Sequence, residues 1–295
     1  MVTNIPKNRI RPKRRSQLAA ISGRGGFSLV ELVIVIIITG IIASTIGLFI
    51  AGPIQAYLDQ ARRGGMVDAA QLALLRMDRD LRAALPNSVR VSGDSIELLL
   101  TLDGDRYRTE PAGAAADRLE FTTADTSFNT FAPLDAGLAS PGAALRLAIY
   151  PLGPSVPGAD PYANDVMTPT SVAVNVAAGT STAGGGTEYR VSMTPGHRFL
   201  FPSPSQRVFL VDGPVSYRCA GRELLRYSGY TVTAAQVPAP TGGTIVTIAK
   251  DVESCAFGYA GGTAQRNAVA TLAVTIESRS ERIRLRRQVQ VDNSP

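Results

Sequence analysis

Residues 26–31 read Gly26-Phe27-Ser28-Leu29-Val30-Glu31, and an apolar run follows over residues 32–54. None of the 23 residues in that run is charged, and Ile and Val dominate it. At a rise of about 1.5 Å per residue such a run covers the roughly 30 Å hydrocarbon core of a bilayer as one helix. Seven basic residues precede it (Lys7, Arg9, Arg11, Lys13, Arg14, Arg15 and Arg24), with no acid among them. A basic flank of this kind holds its end of a membrane helix in the cytoplasm. The run therefore predicts a single membrane-spanning helix whose C-terminal end leads into the far compartment.

A secretory signal peptide fits poorly. Its apolar region is about 7–15 residues long and ends in a small-x-small cleavage site. Here the run is longer, and no Ala-x-Ala spacing stands where that site belongs. The distinctive feature lies on the other side of the run, where glycine, aromatic, hydroxyl, two aliphatics and glutamate stand in order over residues 26–31. That order resembles the class III signal of type IV prepilins and type II secretion pseudopilins. The resemblance implies cleavage by a prepilin peptidase after Gly26 and N-methylation of the new N-terminus at Phe27.

Glu31 is the only charge inside the apolar segment. An ionisable group there costs on the order of 3 kcal/mol on insertion scales and calls for a partner. Taken alone, it reads as a carboxylate at the headgroup edge. The resemblance implies a second role in assembly, because in pilins the matching glutamate pairs with the methylated amine of a neighbouring subunit.

The formal charge of +6 suggests a nucleic-acid binder at first sight. Loss of residues 1–26 removes seven basic groups and no acid, leaving 23 basic against 24 acidic residues, a net −1. A mature chain this close to neutral has no electrostatic footprint for DNA, so no nucleic-acid partner is expected. The 241 residues after Ile54 suffice for one sizeable domain. The two cysteines, Cys219 and Cys255, fall in that part. In an oxidising compartment the pair reads as a disulfide worth about 2–4 kcal/mol, with two buried free thiols as the alternative. Two cysteines without a His or Cys cluster make no zinc site, so no metal is expected.

Gly52-Pro53 predicts a kink or loosened stretch in the helix, and Gly64-Gly65 a second soft point. Over residues 66–85 the apolar positions Val67, Ala70, Leu74, Met77, Leu81 and Ala84 recur three and four apart, which places them on one face. Asp68, Gln71, Arg76, Arg79 and Arg82 lie away from it, and the charged run over 76–82 reads as a solvated face with Asp78 and Arg82 as an i,i+4 pair. Pro86-Asn87 stops the helix.

Beyond Asn87 the pattern predicts short strands at 88–91, 95–102, 106–109, 118–123, 144–150 and 187–193. Residues 179–186 read as a flexible loop, and Gly184-Gly185-Gly186 lacks the Lys-Ser/Thr context of a phosphate cradle. The last third is more regular, with strands predicted at 207–211, 215–218, 223–227, 244–251 and 255–259. A terminal hairpin is predicted from 268–277 and 282–291. In its last strand Ile283, Leu285, Val289 and Val291 face the core, Arg284, Gln288 and Gln290 face out, and a bulge is predicted at Arg286-Arg287.

The resemblance extends past the signal. Gly52-Pro53-Ile54-Gln55-Ala56-Tyr57, Asp68-Ala69-Ala70, the run from Arg79-Asp80-Leu81-Arg82 to Val91, Tyr217-Arg218-Cys219, Leu225-Arg226-Tyr227-Ser228-Gly229-Tyr230, Val252-Glu253-Ser254-Cys255 and the last eight residues, Gln288 to Pro295, are similar to the MshO family of MSHA biogenesis proteins. These are minor pilins of mannose-sensitive haemagglutinin-type pili. Residues 103–205 are generic, and the long arginine-rich leader departs from the family pattern. The resemblance implies an α+β fold, with a long N-terminal helix packed on antiparallel sheet. It divides the chain into a leader (1–26), a membrane and filament-core helix (27–54), an amphipathic helix (55–86) and a periplasmic β-rich domain (87–295). It implies no cofactor and no catalysis. The implied partners are a prepilin peptidase, other minor and major pilins, the inner-membrane assembly platform and membrane lipid. The implied location is the inner membrane, with the tip of a pilus at the cell surface as a second one.

A J-type minor pseudopilin of type II secretion shares the Arg-Asp-Leu-Arg pattern and is the nearest alternative. A signal-anchored periplasmic enzyme is a different class, but His197 is the only histidine and neither Gly-x-Ser-x-Gly nor a metal spacing accompanies it. A DNA-uptake pilin needs a basic patch that overall neutrality does not supply. Asp160, Asn164 and Asp165 are loop oxygens without an interpretable ligand spacing.

Overall fold

The computed structural model describes residues 26–110, 118–137, 139–140, 144–177, 180–181, 187–263 and 265–295. Among the described residues helix α1 (Leu29–Arg82) is followed by thirteen strands, an α+β order with one long helix ahead of an antiparallel β region. The chain divides into two units at Asp59/Gln60, so the two parts of α1 are described separately.

In the first unit α1 begins at Leu29, directly after Ser28, whose Oγ accepts the Glu31 backbone N–H at 3.1 Å. A hydroxyl in that position satisfies one of the orphan donors of a helix N-terminus. The helix continues through Gly52-Pro53 without a break in its assignment. Among the described residues its apolar side chains are left exposed: Ile36 is 62% exposed, Ile41 59% and Phe49 81%. Ser44 and Thr45 turn their hydroxyls back onto the Ile41 carbonyl, so the run presents no unsatisfied donor there.

In the second unit the helix is amphipathic in fact as well as in pattern. Met66, Ala70, Ala73, Leu74, Met77 and Leu81 are buried. They share one core with Ile96, Leu98, Val215, Tyr217 and Leu224 on one sheet and with Leu272, Val274, Ile276, Val289 and Val291 on another. The first sheet runs β1 (Arg90–Ser92), β2 (Ser95–Arg106), β8 (Arg207–Ala220), β9 (Glu223–Ser228), β10 (Thr244–Lys250), with β4 (Arg146–Ala148) also on β8. The second is β11 (Val252–Ala260), β12 (Ala268–Ser278), β13 (Glu281–Val291). Every strand pair is antiparallel.

The chain between β2 and β8 builds a further sheet, β3 (Asp125–Thr130), β7 (Thr187–His197), β5 (Ala173–Val176), with β6 (Thr180–Ser181) also on β7. This insertion has its own core, in which Tyr107, Phe128, Leu147, Val191 and Phe199 meet Val208 and Leu210 of β8. Phe209 and Val211, the alternate residues of the same strand, pack with Leu85, Leu99 and Tyr162.

Several expected elements differ. Residues 106–109 are not a separate strand: β2 ends at Arg106, and Tyr107 makes an isolated bridge to Thr130. Residues 118–123 are loop, and the strand lies at β3 instead, where an Asp-Thr-Ser-Phe-Asn-Thr run lacks the apolar density that marks strands in sequence. The expected strands at 207–211 and 215–218 are one strand, continuous through Gly213 at φ 148°, where the β2–β8 register shifts. The bulge expected at Arg286-Arg287 is absent, since β12 and β13 pair in unbroken register from Ala268↔Val291 to Ser278↔Glu281. Arg287 keeps the inward phase of Leu285 and Val289 because Asp78 on the helix receives it at 3.0 Å. Most of residues 179–186, including the triple glycine, lie outside the described residues, as does the leader before Gly26.

Candidate functional site: the start of the apolar helix and the anchor of its second half

The Gly26-Phe27 junction precedes the helix in backbone that belongs to no helix or strand, and both residues are exposed, Phe27 at 79%. A protease needs backbone outside a helix, and this pair presents it. Ser28 then caps the helix, and Glu31 occupies its first turn, three residues on, where a carboxylate is favoured by the helix dipole. Ser28-Leu29-Val30-Glu31 has the S-x-x-E spacing of a capping box, a sequence signal for the helix start that the motif reading passed over. Glu31 and the apolar side chains after it are exposed in this chain. The arrangement places an exposed, non-helical Gly26-Phe27 junction one turn before a carboxylate and at the head of an exposed apolar helix.

The charged run at the end of α1 corrects the solvated-face expectation. Arg79 and Arg82 are exposed, but Asp78 and Asp80 are buried. Asp80 accepts the Tyr217 hydroxyl at 2.7 Å and Arg226 Nε at 2.8 Å. Burial lowers the Arg226 pKa, but the hydrogen bond and charge of Asp80, together with Tyr217, outweigh it and the net shift is upward. Asp78 takes Arg82 at 3.2 Å and Arg287 at 3.0 Å. Burial pushes the Asp78 carboxyl up, and the two guanidinium groups outweigh it and hold it below its ordinary value. A third pin joins Arg62 and Arg63 to Glu281 at 3.1 and 2.6 Å. Each strand region that the amphipathic half covers thus contributes an ion pair as well as apolar contact.

Cys219, near the end of β8, and Cys255, in β11, are joined in a disulfide with Cα atoms 6.0 Å apart. The bond ties the six-stranded sheet to the three-stranded one beneath the same helix.

The remaining candidates fall to local structure. His197 packs edge-on to Phe199 at 4.7 Å between ring centroids, and its buried Nε2 has no hydrogen-bond partner among the described residues. Burial and the nearby Arg146 lower its pKa, so the ring stays neutral. Asp160 spends its oxygens on the backbone N–H groups of Ser155 and Tyr162, both at 2.8 Å, and Asp165 accepts Gly158 N–H at 3.1 Å. Asn164 accepts from Arg146. These side chains close their own loop, and among the described residues no three His, Cys, Asp or Glu group as metal ligands.

A family model described as prokaryotic N-terminal methylation motif matches residues 21–47. Comparison with curated proteins and with solved structures gives no match. The motif covers the Gly26-Phe27 junction, Glu31 and the apolar run as far as residue 47, and it supports the class of type IV pilins and pseudopilins.

Proposed function

We propose that this protein is a minor pilin that takes part in the initiation or tip of a type IV pilus of the mannose-sensitive haemagglutinin type. The observation that carries the reading is the methylation motif laid over an apolar helix whose described side chains are exposed. In this reading prepilin peptidase removes residues 1–26 and Phe27 becomes the methylated N-terminus. Residues 27–54 are stored in the inner membrane and then buried among other pilin helices. Residues 55–86 and 87–295 lie on the periplasmic side. Glu31 pairs with the methylated amine of a neighbouring subunit. The role is structural rather than catalytic, and the partners are the peptidase, other pilins and the assembly platform.

The narrowing from the class to this pilus rests on the blocks at 79–91, 217–219, 225–230, 252–255 and 288–295. Asp80 from the first of these meets Tyr217 and Arg226 from the next two, so they are parts of one buried arrangement. A J-type minor pseudopilin of type II secretion is the second reading, favoured by the same Arg-Asp-Leu-Arg helix end.

The test is the intact mass and N-terminal sequence of the membrane-extracted protein, expressed with and without a prepilin peptidase. A chain beginning at N-methylated Phe27 only when the peptidase is present is expected. An uncut chain, or one beginning after Ile54, overturns the proposal and brings back an anchored or secreted protein of another class.

A further inference from the structure

Strand β10 leaves one long edge of the first sheet open. It pairs only with β9, and among the described residues no backbone hydrogen bond reaches its other side. Thr244, Ile245, Val246 and Thr247 are all exposed although successive side chains point to opposite faces, so the strand projects past the core on both. Ile245 is 57% exposed and Val246 45%. The run Thr244-Ile245-Val246-Thr247-Ile248 is wholly β-branched, uncharged and free of proline. An edge of that composition is a template for another strand.

The other edges are treated differently. Outward along β13 stand Arg282, Arg284 and Arg286, and among the described residues the last two have no ion pair. Two copies of β13 laid antiparallel bring these arginines against one another, and directly opposed like charges destabilise a pair. β1 is three residues long. β11 carries Glu253 near its start, whereas β10 is uncharged up to its own register shift between Thr247 and Ala249. Among the described residues only β10 combines length, open backbone and no charge over its first five residues.

We propose that β10 is a self-pairing edge, whose occupant is β10 of a second copy of this chain. The absence of charge lets the strand meet itself without repulsion, and β-branched residues opposite one another are favourable cross-strand partners. A two-fold axis normal to the sheet preserves faces, so each strand must place some residue opposite itself. Centring on Val246 sets Ile245 against Thr247 on either side of it, inside the regular stretch that ends at the Thr247/Ala249 register shift, and keeps the two Lys250 side chains apart. This inference stands on the soluble unit alone and does not depend on the pilin reading.

The experiment is oxidative cross-linking of the full chain in native membranes, with single cysteines at Val246 and, as control, at Gln288 on β13. Peptide mapping confirms in each variant that the Cys219–Cys255 bond is intact. Paired strands hold opposed Cα atoms within disulfide reach. V246C is expected to form a covalent homodimer at least about tenfold faster than Q288C, as tethered thiols outpace diffusing ones. Ile245→Cys and Thr247→Cys are expected to link when co-expressed and not when alone. Equal rates at Val246 and Gln288, which contact through the apolar helices would produce, overturn the proposal. A V246C adduct formed only with a different protein also overturns it. Val246→Lys, which opposes two ammonium groups, is expected to abolish a Thr247–Ile245 link that Val246→Thr leaves in place.

Discussion

Asp80 shows how far a charge run can be misread when only its own helix is considered. The run Arg76-Met77-Asp78-Arg79-Asp80-Leu81-Arg82 alternates charge and reads as solvated, yet both aspartates turn under the helix to meet arginines that lie more than a hundred residues away in sequence. Removing one partner of a buried pair strands the other, so Asp80→Asn is expected to destabilise the domain by about 3 kcal/mol in chemical denaturation, because Arg226 is then left half-satisfied. Asp80→Glu tests the geometry rather than the charge and is expected to recover part of the loss. Glu188 sets an acid limit. Hydrogen bonding from Arg108 holds its carboxyl below the ordinary value of 4.5, against the upward push of burial, and Asn129 adds to the effect. A depressed folded pKa contributes stability that is fully present above the unfolded value and lost as pH falls through the folded one. The midpoint of urea unfolding is therefore expected to fall below about pH 4.5, and Glu188→Gln to flatten that dependence.

Among elements, α1 has two environments and two sources of stability. Its first part exposes apolar side chains, whereas residues 66–81 bury one stripe on two sheets. Periodicity made the second part legible, since Ala70, Leu74, Met77 and Leu81 recur at helical spacing and are buried. It could not show Arg287 pointing inward in β13, because alternation assigns a charged residue to solvent unless a partner is known. The disulfide joins the two sheets under that stripe and closes a separation of 36 residues. Cys219→Ser with Cys255→Ser is expected to cost about 4 kcal/mol by the loop-entropy relation, read as a lower urea midpoint that matches wild type under reductant. At the start of the helix, Glu31→Gln is expected to leave cleavage after Gly26 unchanged while abolishing co-assembly with other pilins, read by mass spectrometry of the membrane fraction and of sheared filaments. If filament incorporation survives that substitution, the assembly role assigned to Glu31 is wrong.

For the molecule as a whole, the proposed processing changes the charge. The chain has a basic isoelectric point near 9.6, and the excess lies before Phe27. Loss of residues 1–26 is expected to carry the protein from the basic to the near-neutral region in isoelectric focusing, and only where the peptidase is present. Most of what places this protein in a class stands in one contiguous stretch. The Gly26-to-Glu31 order, the basic flank and the uncharged run over 32–54 were sufficient by themselves to specify a membrane-length helix and to suggest its processing, because insertion and cleavage act on local sequence. The antiparallel hairpin at 268–291 was legible for the same reason, since alternation and a turn are local. Only the tertiary structure decided that Asp78 and Asp80 are buried anchors, that the generic insertion has a core of its own between β2 and β8, and that one edge strand is left open. Burial, pairing and exposure of this kind depend on residues far apart in the chain being brought together, which no local pattern encodes.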